Sequence, residues 1–63
     1  MELNKGDNVE ICIDVIGTFA LYCIRGVYEG EENGYLILRY QAPNRQILTY
    51  MRKDRVVVVK KYV

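Results

Sequence analysis

The chain has 63 residues, nine basic against eight acidic side chains, and a hydrophobic content of 51%. So short a chain supports one domain, residues 1–63, and buries only roughly 60% of the surface that its unfolded form exposes. It contains no His, no Ser and no Trp. The usual general base near neutral pH, the serine triads and the Cys–His pairs therefore cannot be built, and two cysteines plus carboxylates make a poor zinc set. The expectation is a protein that is not an enzyme and uses no metal or cofactor.

The elements read in chain order are nearly all strands. Val9 to Val15 alternates apolar and polar residues, as a half-buried strand does. Ile16-Gly17-Thr18-Phe19 reads as a two-residue hairpin loop with Gly first, the type II′ pattern. That turn sets Val9, Ile11, Ile13 and Val15 opposite Gly26, Ile24, Tyr22 and Ala20 on an apolar core face. On the other face it sets Glu10 opposite Arg25, an exposed ion pair, and Cys12 opposite Cys23. The second strand runs from about Thr18 to Glu29, and Gly26 inside it predicts a bend or a close backbone approach. A polar loop, Gly30-Glu31-Glu32-Asn33-Gly34, leads to a third strand from Tyr35 to Gln41. Ala42-Pro43-Asn44-Arg45 is a turn in which Asn44 tolerates a left-handed conformation. The fourth strand is Gln46 to Tyr50, Met51 to Asp54 is a single 3₁₀ turn, and the last strand is Arg55 to Lys60. The flanking Arg55, Lys60 and Lys61 are charges of the kind that discourage edge aggregation.

Five short strands, one of them long and bent, with a single-turn step before the last, predict an all-β fold. The expected form is a five-stranded, strongly bent antiparallel SH3-like or Sm-like small barrel, whose closure removes most free edges. On Val9-Glu10-Ile11-Cys12-Ile13, Gly26-Val27-Tyr28-Glu29, Gly34-Tyr35-Leu36-Ile37-Leu38 and Gln46-Ile47-Leu48-Thr49-Tyr50, followed by the valine-rich last strand, the chain resembles the Sm-like family, which includes the bacterial Sm-like RNA chaperones. It departs from the family in carrying Tyr22 where a glycine is expected and Glu29 where an aspartate is expected. The resemblance implies rings made by pairing the fourth and fifth strands of neighbouring subunits. It also implies single-stranded RNA bound by residues of the third and fifth loops.

The densest basic cluster is Arg52, Lys53 and Arg55, with Arg45, Lys60 and Lys61 near it in sequence. It reads either as a phosphate-contacting loop edge or as a solvated turn interrupted by Asp54. Tyr40 and Tyr50 offer flat faces for base stacking, against the common use of tyrosine as a core plug with its hydroxyl outward. Glu29, Glu31 and Glu32 lack the ligand pattern of a calcium loop and read as a solvated, phosphate-repelling hairpin tip. Cys12 and Cys23 are close enough for a disulfide but are expected to be two thiols in a reducing cytosol. A net charge of +1 excludes non-specific nucleic-acid packaging. No apolar run is long enough to span a bilayer, and the polar start shows no signal peptide, so a cytoplasmic protein is expected. The functional expectation is a non-catalytic binding module for single-stranded RNA or other nucleic acid, using Arg45, Arg52, Lys53, Arg55, Tyr40 and Tyr50. The alternative is protein–protein interaction or homo-oligomeric assembly through an edge formed by Val56, Val57, Val58 and Val59.

Overall fold

The computed structural model describes residues 3–62. They form five strands, β1 (Asn8–Asp14), β2 (Leu21–Glu32), β3 (Tyr35–Ala42), β4 (Arg45–Arg52) and β5 (Val56–Tyr62), with one 3₁₀ turn, Lys53–Arg55, between the last two. All neighbouring strands are antiparallel, in one sheet of order β4-β3-β2-β1-β5. The expected closure is not present. β4 and β5 are the two ends of the sheet and share no ladder, so both keep a free edge. No helix among the described residues is long and apolar enough to cross a membrane.

The first hairpin keeps the expected register, with Val9 opposite Gly26, Glu10 opposite Arg25 and Cys12 opposite Cys23. Its turn differs. Thr18 N–H donates to the Val15 carbonyl at 3.1 Å, and Gly17 has φ +83° at the third position of that turn. The loop is therefore four residues long, closed by Val15 N–H donating to Ala20 O at 3.1 Å. The Thr18 hydroxyl holds it, donating to the Val15 carbonyl at 2.9 Å and accepting from Ala20 N–H at 3.0 Å. A four-residue loop and a two-residue loop about the same centre give the same register, which is why the pairing holds while the turn type does not.

The second hairpin is tighter than expected. Glu31 and Glu32 are ladder residues opposite Leu36 and Tyr35, and only Asn33 and Gly34 turn, both at positive φ. An Asn-Gly pair suits the type I′ turn, whose twist matches the strands, so the ladder extends up to it. Glu29 is an extra residue between the Tyr28/Leu38 and Gly30/Ile37 pairs, a β-bulge. In the third hairpin, Ala42 pairs with Arg45 around Pro43 and Asn44. Asn33 is the single non-glycine residue at positive φ among the described residues, so the left-handed conformation that Asn44 tolerates is not used there.

The core is small. Val9, Ile11, Tyr28, Leu36, Leu38 and Met51 are buried together, with Leu3, Ile13, Ile24, Val56 and Val59 packed against them. The predicted core face fades towards the first turn, where Val15, Ala20 and Tyr22 are exposed. The β1–β2 hairpin runs past its neighbours there: β1–β5 pairing reaches only Ile13 and β2–β3 pairing starts at Val27. At Gly26 the strands crowd, and an added Cβ would lie 2.7 Å from the Arg39 carbonyl oxygen. That is the close backbone approach the sequence predicts. Cys12 and Cys23 are not free thiols; they are joined in a disulfide across the β1–β2 pair. The register places them directly opposite with Cα atoms 4.0 Å apart, and Cys12 is buried, paired on its other side with Val58 of β5.

Candidate functional site

The period-two alternation of β3 and β4 decides what the sheet offers to solvent. Leu36, Leu38 and Met51 point into the core, which turns Tyr35, Ile37, Arg39, Leu48, Tyr50 and Arg52 to the opposite face. The ladder pairs Tyr35 with Arg52, Ile37 with Tyr50 and Arg39 with Leu48, so aromatic, aliphatic and guanidinium groups interleave there. Tyr35 and Tyr50 meet edge to face, ring centres 6.5 Å apart.

At one end of this face an open cleft of about 630 Å³ is lined by Asn33, Tyr35, Arg52, Lys53 and Asp54. It lies between the β2–β3 turn and the 3₁₀ step, which the Lys53 N–H ties to the Gly34 carbonyl at 2.9 Å. The cations of the step are not free. Arg52 pairs with Asp54 at 2.8 Å, Lys53 with Glu31 at 3.2 Å and Arg55 with Asp14 at 3.4 Å. Arg55 also donates to the Asp14 backbone carbonyl. These pairs are exposed and worth little as stability, but a phosphate would have to displace a carboxylate from each cation.

The six predicted contact residues divide among several places. Arg52, Lys53 and Tyr50 gather around the first cleft and its aromatic pair. Arg55 turns to the end of β1. Arg45 stands at the far end of β4, seven residues from Arg52 and so about 23 Å away along the strand. Tyr40 is half-buried and lines a separate cleft with Arg25, Arg39 and Tyr62. There the Arg25 guanidinium lies 3.9 Å over the Tyr62 ring. Sequence reasoning passed over Tyr35, Arg39 and Tyr62. The alternation of Tyr35, Ile37 and Arg39 with the buried leucines is the signal that marks the first two. Tyr62 lies beyond the predicted end of the last strand.

The Val56–Val59 stretch lies on an edge strand and is uneven. Val56, Val58 and Val59 are half-buried, whereas Val57 is an extra residue between the Ile13/Val56 and Cys12/Val58 pairs and is exposed. The amino-terminal segment is fastened to the sheet. Gly6 N–H donates to Tyr28 O, Tyr28 N–H donates to Asp7 O, and Lys61 pairs with the Asp7 carboxylate at 3.3 Å. The Asn4 backbone N–H holds the Asp7 carboxyl below the usual carboxylate value, against an opposing effect of burial, and Lys61 adds to the lowering. Among the described residues no three His, Cys, Asp or Glu side chains lie together as a metal site. Comparison with family models, with curated proteins and with solved structures finds no match to this chain.

Proposed function

We propose that this chain is a non-catalytic assembly module that adds strands edge to edge to further copies of itself. The observation that carries this is the open sheet, whose two end strands both keep unpaired backbone groups. β4 pairs with β3 over eight consecutive positions without a bulge, so its outer edge is long and regular. Leu48 and Tyr50 are about half exposed beside it, and the charges Arg45 and Arg52 stand only at its ends. An edge of this kind pairs with another strand unless something covers it. The β5 edge is less regular, with its bulge at Val57 and its lysines Lys60 and Lys61, which confines pairing to the Val56–Val59 stretch. Surface area argues the same way. The exposed area is 4643 Å², about a tenth above the roughly 4,200 Å² expected for a compact monomer of this mass.

The Sm-like resemblance fits this reading, since proteins of that family join the fourth strand of one subunit to the fifth of the next. Sedimentation equilibrium tests it. The chain is expected to associate with increasing concentration, and Leu48→Lys with Tyr50→Lys is expected to leave a folded monomer. A wild-type chain that stays monomeric at millimolar concentration would remove the proposal.

A second reading, single-stranded nucleic acid, is favoured by one observation: the Tyr35–Tyr50 pair beside Arg52 and Lys53 at the first cleft. Stacking on those rings would contribute about 1–3 kcal/mol per base. Because the cations are already paired, the salt dependence is expected to be shallow. Titration with short single-stranded RNA should shift the amides of Tyr35, Tyr50 and Lys53. No shift at low salt would end this reading.

A further inference from the structure

We propose that the tip of the β1–β2 hairpin, Val15 to Tyr22, is a membrane anchor that seats in the interface of a zwitterionic lipid bilayer without crossing it. This goes beyond assembly and uses neither free edge of the sheet.

The tip is apolar in sequence and uncovered in the fold. No charged side chain stands between Asp14 and Arg25. β1–β5 pairing ends at Ile13 and β2–β3 pairing starts at Val27, so neither neighbouring strand pairs with the hairpin at its turn. Phe19 is fully exposed there, Ile16 is 77% exposed, and Leu21 and Tyr22 are about half exposed. Tyr22, opposite Ile13, lies on the core-side row, whereas Leu21, opposite Asp14, lies on the other face. The hairpin end is therefore apolar on both faces as well as at its turn.

Area and charge decide what covers it. With Val15, these side chains expose on the order of 600 Å², the size at which an apolar patch marks a contact surface. That falls short of the roughly 800 Å² that each partner of a stable protein complex buries, and a projecting tip divides it between two faces. A bilayer interface has no shape to match and surrounds such a tip on every side. At the base, Asp14 is paired with Arg55 at 3.4 Å, and Arg52 and Lys53 of the 3₁₀ step are paired in turn with Asp54 and Glu31. The charges near the base are balanced, which fits zwitterionic headgroups better than an anionic surface. Asp14 is three residues from Gly17, about 10 Å along an extended chain. Amphipathic segments sink roughly 5–10 Å into the interface, so the Asp14–Arg55 pair would stand at the headgroups, with the Tyr22 phenol near the level that tyrosines favour.

The tip is also preformed. Val15 N–H, Thr18 N–H and Ala20 N–H all find acceptors within the turn, and the Thr18 hydroxyl both donates and accepts there. Fewer polar groups then lose water on insertion. The Cys12–Cys23 disulfide joins the two strands two pairs below Asp14 and Leu21, so little ordering is left for binding to supply.

Co-sedimentation of the oxidised chain with phosphatidylcholine vesicles at low and high salt, with amide maps in bicelles of the same lipid, tests the proposal. The parent should partition at both salts, with amide changes centred on Ile16 to Tyr22. Phe19→Ser should weaken partition about tenfold or more, and Phe19→Leu should recover most of the loss. Because Phe19 is fully exposed, both variants should keep the native amide map elsewhere. Sedimentation of Phe19→Ser without vesicles should match the parent, which separates loss of anchoring from loss of assembly. A parent that does not partition, or a Phe19→Ser variant that partitions like it, would overturn the proposal. So would partition that requires anionic lipid and disappears at high salt, which would assign the contact to the basic step. Self-association lost on Phe19→Ser, with no vesicle binding by the parent, would overturn it in favour of a second copy of the chain.

Discussion

Gly26 shows how one residue sets the form of this sheet. Its missing side chain allows the Arg39 carbonyl to come within what would be 2.7 Å of a Cβ, at a half-buried position where the contact atom is backbone. Alanine there would force the β2 and β3 backbones apart at the point where their ladder begins. Gly26→Ala is therefore expected to destabilise the domain by about 1–3 kcal/mol, the usual cost of overpacking, read as a lower urea midpoint. It should also move the amides of Arg39 and Tyr40 most. A variant of parental stability would mean that β3 yields freely at this point. The same scale explains why the basic step was only half legible. Arg52, Lys53 and Arg55 are recognisable as a cluster in the sequence, but Lys53 finds Glu31 and Arg55 finds Asp14 across 22 and 41 residues of chain. Local spacing carries no information about such partners.

At the scale of elements, the β1–β2 hairpin is the best determined piece. Its register follows from the alternation of Val9, Ile11 and Ile13 and from Gly17 at the turn, and the structure repeats it pair for pair. The third hairpin follows from Pro43-Asn44, whereas the second, read as the loop Gly30 to Gly34, is the tighter Asn33-Gly34 turn. What could not be read was how the strands meet their remote neighbours: the extra residue Glu29 in β2, the extra residue Val57 in β5, and the burial of Cys12 opposite Val58. Each depends on a pairing that only the assembled sheet defines. The disulfide inside this hairpin is expected to matter to it. Closing the loop between cysteines separated by 11 positions removes unfolded-chain entropy worth about 3 kcal/mol. The Cys12→Ala, Cys23→Ala double variant should lose about that amount in a denaturation experiment, with little change in native shifts beyond β1 and β2. Equal stability with and without the bond would show that the hairpin is held by its ladder and core contacts alone.

For the molecule as a whole, the fold class was legible and its closure was not. Five strands and a single-turn step follow from turn residues and period-two patterning, but whether the last strand completes a ring with the fourth depends on curvature summed over the whole sheet. The result is a domain with few buried side chains, an exposed apolar first turn at Ile16 and Phe19, and two free edges. Such a chain has more to gain from partners than from its own interior.

Sedimentation equilibrium of the oxidised chain from micromolar to millimolar concentration tests the central claim most directly. Reversible association to a discrete oligomer is expected, abolished by charge on the β4 edge at Leu48 and Tyr50 while the fold is kept. A monomer throughout that range, or an oligomer indifferent to those substitutions, would contradict it.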